Sequence, residues 1–126
     1  METIAAISTA PGLGGIGIIR ITGDQAFNVL LKIFKSKKVK KIEDIVPNTI
    51  IYGKIYEEDR MIDEVLVSFF KSPNSYTRED LVEINTHGGS IVMKEILDLV
   101  LRSGAILAQP GEFTKRAFLN GRIDLT

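Results

Sequence analysis

Arg20 and Glu83 each stand inside an apolar run, IGIIRITG at 16–23 and DLVEINT at 80–86. A charge in such surroundings costs stability unless it is paired, solvated or matched by a ligand. A carboxylate offers two parallel acceptor sites that suit the adjacent N–H donors of an aminopyrimidine-type ring. A planar guanidinium suits a ligand carboxylate as well as it suits a structural partner. Together the two would make a polar, charge-paired pocket; as residues of a solvated strand face they would do no chemistry, and the sequence leaves both readings open. His87, ahead of Gly88 and Gly89, reads as a loop histidine bonded to backbone, because no Ser or Cys nucleophile forms a motif with it. The stretch PGEFTKRAFLNGRIDL at 110–125 sets Glu112, Lys115, Arg116, Arg122 and Asp124 around Phe113, Ala117, Phe118 and Leu119. It reads as an amphipathic cap with its charges turned to solvent.

Gly12, Gly14 and Gly17 spell G-x-G-x-x-G, a spacing that cradles a pyrophosphate only where the turn comes after a strand and opens a helix. Here the glycines lead into the β-branched run IGIIRI, which has no helical period and reads as a second strand after TIAAIS. The G-K-[ST] ending of a nucleoside triphosphate loop is also missing. These glycines are therefore read as a tight loop between two strands, beside the strand that delivers Arg20.

Composition bounds the rest. The 126 residues suit one domain and one core, and 16 basic residues balance 16 acidic ones, so no overall field recruits nucleic acid or an anionic membrane. The chain has no cysteine and a single histidine, which rules out disulfides, thiol catalysis and histidine-rich metal sites within it. No apolar run approaches the roughly 18 residues of a membrane helix. Glu2, with no basic residue before Arg20, argues against a secretory signal, and a cytoplasmic location is expected.

The elements that would hold these side chains are set by patterning. Asp24 is expected to cap a helix carrying Phe27, Leu30, Leu31 and Phe34 at i, i+3, i+4 and i+7. KSKKVKK at 35–41 is expected as a solvated basic loop. TIIYGKIYEE and MIDEVLVSFFK read as a hairpin, and in LVEINT the alternation puts Leu81, Glu83 and Asn85 on one face and Val82 and Ile84 on the other. Ser90 is expected to cap a helix to about Ser103, ended by Gly104, with Val92, Ile96, Leu99 and Val100 on one side. The short strand AILAQ and a small helix EFTKRAFLNG complete the order. The expectation is an α+β domain whose mixed, largely antiparallel sheet carries packed helices. It spans 1–121, and at 122–126 a helix-start pattern barely begins, as at a domain boundary.

Read together, APGLGGIGIIRITG, SYTREDLVEINTHGG and PGEFTKRAFLNGRIDL resemble the N-terminal domain of the bacterial tRNA modification GTPases of the MnmE (TrmE) family. The likeness covers essentially the whole chain. It implies a fold similar to the tetrahydrofolate-binding domain of glycine cleavage T-protein, a bound 5-formyltetrahydrofolate-type one-carbon donor, and a homodimer. It also implies an FAD-dependent partner subunit, MnmG (GidA), with which the family modifies carbon 5 of the tRNA wobble uridine. GTP, magnesium and potassium would belong to a GTP-binding domain outside these residues, and the chain alone is expected to be inactive as a GTPase. The family's folate contacts fall on Arg20, Glu83 and Arg122; no catalytic residue or metal ligand is assigned. Many relatives have glycine where this chain has Arg78, and lysine where it has Arg122. Two other classes compete: a fragment of a folate-dependent aminomethyltransferase, and a small RNA-binding module using residues 35–41.

Overall fold

The computed structural model describes residues 1–8 and 17–122. Gly12, Gly14 and Asp124, with the rest of the expected domain start at 123–126, lie outside the described residues. The strands are β1 (Ile4–Ile7), β2 (Gly17–Thr22), β3 (Phe34–Lys35), β4 (Thr49–Glu57), β5 (Arg60–Phe70), β6 (Leu81–Thr86) and β7 (Ile106–Leu107). The helices are α1 (Ala26–Leu31), α2 (Gly89–Arg102) and α3 (Glu112–Leu119). The strands form one sheet in the order β3-β4-β5-β6-β2-β1-β7. All neighbours pair antiparallel except β1 and β7, so the expected mixed, largely antiparallel α+β domain is what forms.

Strand alternation divides the sheet into two unlike faces. One face is built from Ile19, Ile21, Val65, Val67, Phe69, Val82 and Ile84, all buried, under α1 and α2. Phe27 of α1 meets Phe69 edge-on with ring centroids 5.8 Å apart. Ile96, Leu99 and Val100 supply the buried side of α2, as the 3.6-residue period requires. Gly17 opens β2 rather than a helix, and a Cβ there would overlap the Met93 sulfur of α2. The absence of a side chain at Gly17 leaves room for that methionine.

Four local expectations are corrected. Asp24 does not cap α1: Gln25 holds that position, with no side-chain cap, and its amide bonds instead to Thr3 Oγ1 at 3.0 Å. Phe34 is not in α1; it pairs with Ile55 as β3, which buries the ring equally well. Ser90 does not cap α2, because Gly88 is the N-cap and Asp63 of β5 accepts the His87 and Gly88 amides at 2.7 and 3.1 Å. Arg116 does not face solvent but is buried. In the lysine run, Lys37, Lys38, Lys40 and Lys41 are exposed, as a solvated loop should be, while Val39 is buried and pins the loop.

Candidate functional site

Arg20 and Glu83 are direct cross-strand neighbours in the β2–β6 register, on the face opposite α1 and α2. Arg20 Nε donates to Glu83 Oε2 at 2.5 Å, with 35% and 20% of the two side chains exposed. The row across the sheet reads Ser68, Glu83, Arg20, Ala6, so small residues flank the pair and leave space above it. Among the described residues neither group has another hydrogen bond, so the two terminal Arg20 nitrogens and Glu83 Oε1 carry bonding capacity that the pair does not use. Glu83 Oε2 itself keeps a second lone pair.

Arg20 lines a cleft of about 500 Å3 whose walls are Ala6 and Ile7 of β1, Ser8 just beyond it, and the segment from Ala108 to Thr114. Glu83 is not one of its lining residues and stands behind Arg20. Thr114, on α3, shares a 3.0 Å hydroxyl hydrogen bond with Tyr76. Tyr76 in turn lines a neighbouring cleft of about 640 Å3 with Arg78 and Arg122. The Arg122 guanidinium lies over the Tyr76 ring, 4.9 Å from its centroid, and donates to the Tyr76 carbonyl at 3.4 Å. The structure therefore brings two of the three expected site residues into contact and puts the third in the adjoining cleft.

The site is held by a second arginine–carboxylate pair that the sequence reading missed. Arg116 donates to both Glu79 oxygens at 3.1 and 3.2 Å and to the Glu2 carbonyl; the pair is 5% and 13% exposed. Glu79 also accepts from Thr22 at 3.0 Å. Asn120 donates to the Thr77 carbonyl at 2.9 Å. These bonds fasten α3 and the 76–80 loop to the end of β2, and so set where Tyr76, Thr114 and Arg122 stand. A signal was present: Phe113, Arg116, Ala117 and Asn120 fall at i, i+3, i+4 and i+7, which places an arginine in the helix's inward stripe.

His87 behaves as read, its Nδ1 lying 2.9 Å from the Glu64 carbonyl. Among the described residues no three His, Asp or Glu side chains converge as a metal site would need. Away from the site, Arg60 and Arg102 both bond to Glu57 and hold its carboxyl below the usual range. No helix among the described residues is long and apolar enough to cross a membrane.

Residues 3–122 match the family model described as GTP-binding protein TrmE N-terminus. The chain is 60% identical over 127 residues to the tRNA modification GTPase MnmE of Thermoanaerobacter pseudethanolicus, covering 99% of this chain and 28% of that protein. It is 58% identical over 125 residues to the protein of the same name from Clostridioides difficile, covering 99% and 27%. With its counterpart in Lactiplantibacillus plantarum it shares 56% over 127 residues, again 99% and 27%. The chain spans little more than a quarter of the length of these relatives.

Proposed function

Because the chain belongs to the TrmE N-terminus family, we propose that it is the one-carbon folate-binding and self-associating domain of a tRNA modification GTPase. The observation that carries this reading is the Arg20–Glu83 pair, joined through one donor and one acceptor, partly exposed, with Arg20 lining a cleft and with donors and acceptors left over on both side chains. A pterin edge donates an amino and a ring N–H side by side, and Glu83 can accept both while Oε2 keeps its bond to Arg20. Arg20 and Arg122 then serve as cationic partners for carbonyl or carboxylate oxygens.

Self-association is supported by the uncovered half of the same sheet face, where Ile50, Tyr52 and Leu66 are exposed, since contiguous apolar surface of that kind marks an interface. In the whole protein the domain, spanning 1–121 and followed by a helical domain from 122, would work in the cytoplasm with an FAD-dependent subunit, MnmG (GidA), on the tRNA wobble uridine. GTP, magnesium and potassium would be bound by a separate domain, and this chain alone would not turn over GTP.

Calorimetric titration of 5-formyltetrahydrofolate tests the reading: saturable binding by the wild-type chain is expected, and a flat titration would overturn it. Sedimentation at micromolar concentration is expected to give a dimer. A monomer at every concentration would remove self-association from the proposal while leaving folate binding intact.

A further inference from the structure

We propose that the lysine loop at 35–41 is a contact surface for the phosphate backbone of tRNA, one that grips by charge and reads no bases. This rests on the tRNA part of the reading above and is independent of folate binding.

Residues 35–41 carry five lysines, Lys35, Lys37, Lys38, Lys40 and Lys41, in a chain whose 16 basic and 16 acidic residues balance. All five are exposed, and among the described residues none of them enters an ion pair. The acids nearest in sequence are Glu43 and Asp44. Asp44 is turned to the backbone, where its Oδ2 accepts the Lys40 and Lys41 amides at 3.0 and 3.2 Å. Across the sheet Lys35 pairs in register with Lys54, which stands opposite Glu64 on the next strand. With these three acids counted, the local charge is still positive.

The loop is built to hold this display. Val39 is buried, and Ser36 Oγ accepts its amide at 2.9 Å and donates to its carbonyl at 3.0 Å. With Asp44 on the next two amides, the backbone is pinned at 39, 40 and 41 by groups other than the ammonium groups. Lys35 Nζ lies over the Tyr56 ring, 4.7 Å from its centroid, so this ring meets a cation where a base would stack. A set of lysines without an aromatic platform contacts phosphates and not bases.

Two plainer needs do not account for so many lysines. Guarding an open sheet edge takes Lys35 alone, since β3 is two residues long and the other four lie beyond it. Solubility is served as well by mixed charges, and like charges this close repel. A polyanion relieves that repulsion, and each lysine–phosphate contact releases a counterion. An ammonium is a point charge that takes a phosphate without demanding one fixed angle. β3 is one edge of the sheet, and β4, β5 and β6 separate it from β2 and Arg20, roughly 19 Å at about 4.8 Å per strand. The loop and the Arg20 cleft can therefore be disabled one at a time.

The test is fluorescence anisotropy of a labelled tRNA transcript titrated with the chain over a range of salt. The proteins are wild type, Lys37→Gln with Lys38→Gln, Lys37→Arg with Lys38→Arg, and Lys71→Gln with Lys94→Gln, a control that loses the same charge from exposed positions elsewhere. Circular dichroism checks that each is folded. Wild type is expected to bind at low salt, with affinity falling steeply as salt rises. The glutamine pair in the loop should weaken binding about tenfold and flatten the logarithmic salt slope by about two, one for each lost phosphate contact. The arginine pair should keep binding, and the control should stay within about twofold of wild type, its charges being remote and screened. Titration with 5-formyltetrahydrofolate should be the same for wild type and the loop glutamine pair. No binding of tRNA by folded wild type at low salt, or an equal loss in the loop pair and the control, would overturn the surface. Binding to vesicles containing phosphatidylserine with none to tRNA would do the same. Each of those outcomes leaves the folate reading standing, and a flat folate titration would leave this surface standing.

Discussion

Two arginine–glutamate pairs lie on the same side of the sheet, and they differ in every respect that separates a structural pair from a ligand-facing one. Arg116 and Glu79 are almost fully buried, doubly bonded to each other, and supplied with further partners in Glu2, Thr22 and Asn120. Arg20 and Glu83 are partly open, joined by a single short contact, and border a cleft. Burial makes the first pair costly to break, because either charge left alone would sit in a low dielectric without compensation. Solvent access makes the second pair cheap to break, and its unused donors and acceptors leave it capacity to recognise a ligand. An ion pair in an apolar run is therefore not a functional signal by itself; what marks Arg20 and Glu83 is bonding capacity left over beside open space.

The sharpest way to break this contrast is Arg116→Ala. It should lower stability by about 3 kcal/mol or more, the scale for stranding one partner of a buried pair, read as a loss in denaturant midpoint. A change below about 1 kcal/mol would show that the pair is not the fastening it is taken to be. Glu83→Ala should do the reverse, leaving stability within about 1 kcal/mol of wild type, as for partly exposed pairs. Its affinity for 5-formyltetrahydrofolate should fall tenfold to a hundredfold, corresponding to about 1.5 to 3 kcal/mol for hydrogen bonds to a charged group. Unchanged affinity in a folded Glu83→Ala chain would remove the pterin-anchor role.

Arg122→Lys should weaken that affinity only severalfold, since the charge survives while the fork and its stacking on Tyr76 are lost; a loss as large as that of Glu83→Ala would move the main anchor to the second cleft. The smallest effect belongs to a third, solvent-exposed set of pairs, Glu57 with Arg60 and Arg102. Hydrogen bonds from both arginines depress the folded pKa of Glu57 below its ordinary 4.5. Its contribution is thus present above that value and lost as pH falls through the folded one. The difference in midpoint between wild type and Glu57→Gln should accordingly be small at pH 7 and vanish on acidification, and molar salt should shrink it at any pH. A difference that grew in acid would reverse the assignment.

Much of the domain was legible because its signals are local. The hairpin of β4 and β5 is encoded by two β-branched runs around a polar turn, and the inward side of α2 by its 3.6-residue period. Gly104, at φ 125°, stops that helix because few other residues adopt such a backbone. Arg20 and Glu83 were visible as charges out of place. The errors have the opposite character: the His87 and Gly88 amides that lead into α2 are held by Asp63, some two dozen residues earlier, and Phe34 satisfies its burial by pairing with Ile55.

By itself, then, the sequence determined the longer strands, the inward side of α2 and which charged residues needed an explanation, since alternation and periodicity are set by neighbours along the chain. Only the tertiary structure decided how those charges were satisfied. Arg20 meets Glu83 across 63 positions and Arg116 meets Glu79 across 37, separations fixed by strand register and helix docking. Which pair was sealed and which stayed open depended on where α3 came to rest: its bonds to Glu2, Thr77 and Glu79 fastened it over the Glu79 carboxylate, while space remained above Arg20. No local pattern encodes that difference, because solvent access at a side chain is a property of everything folded around it.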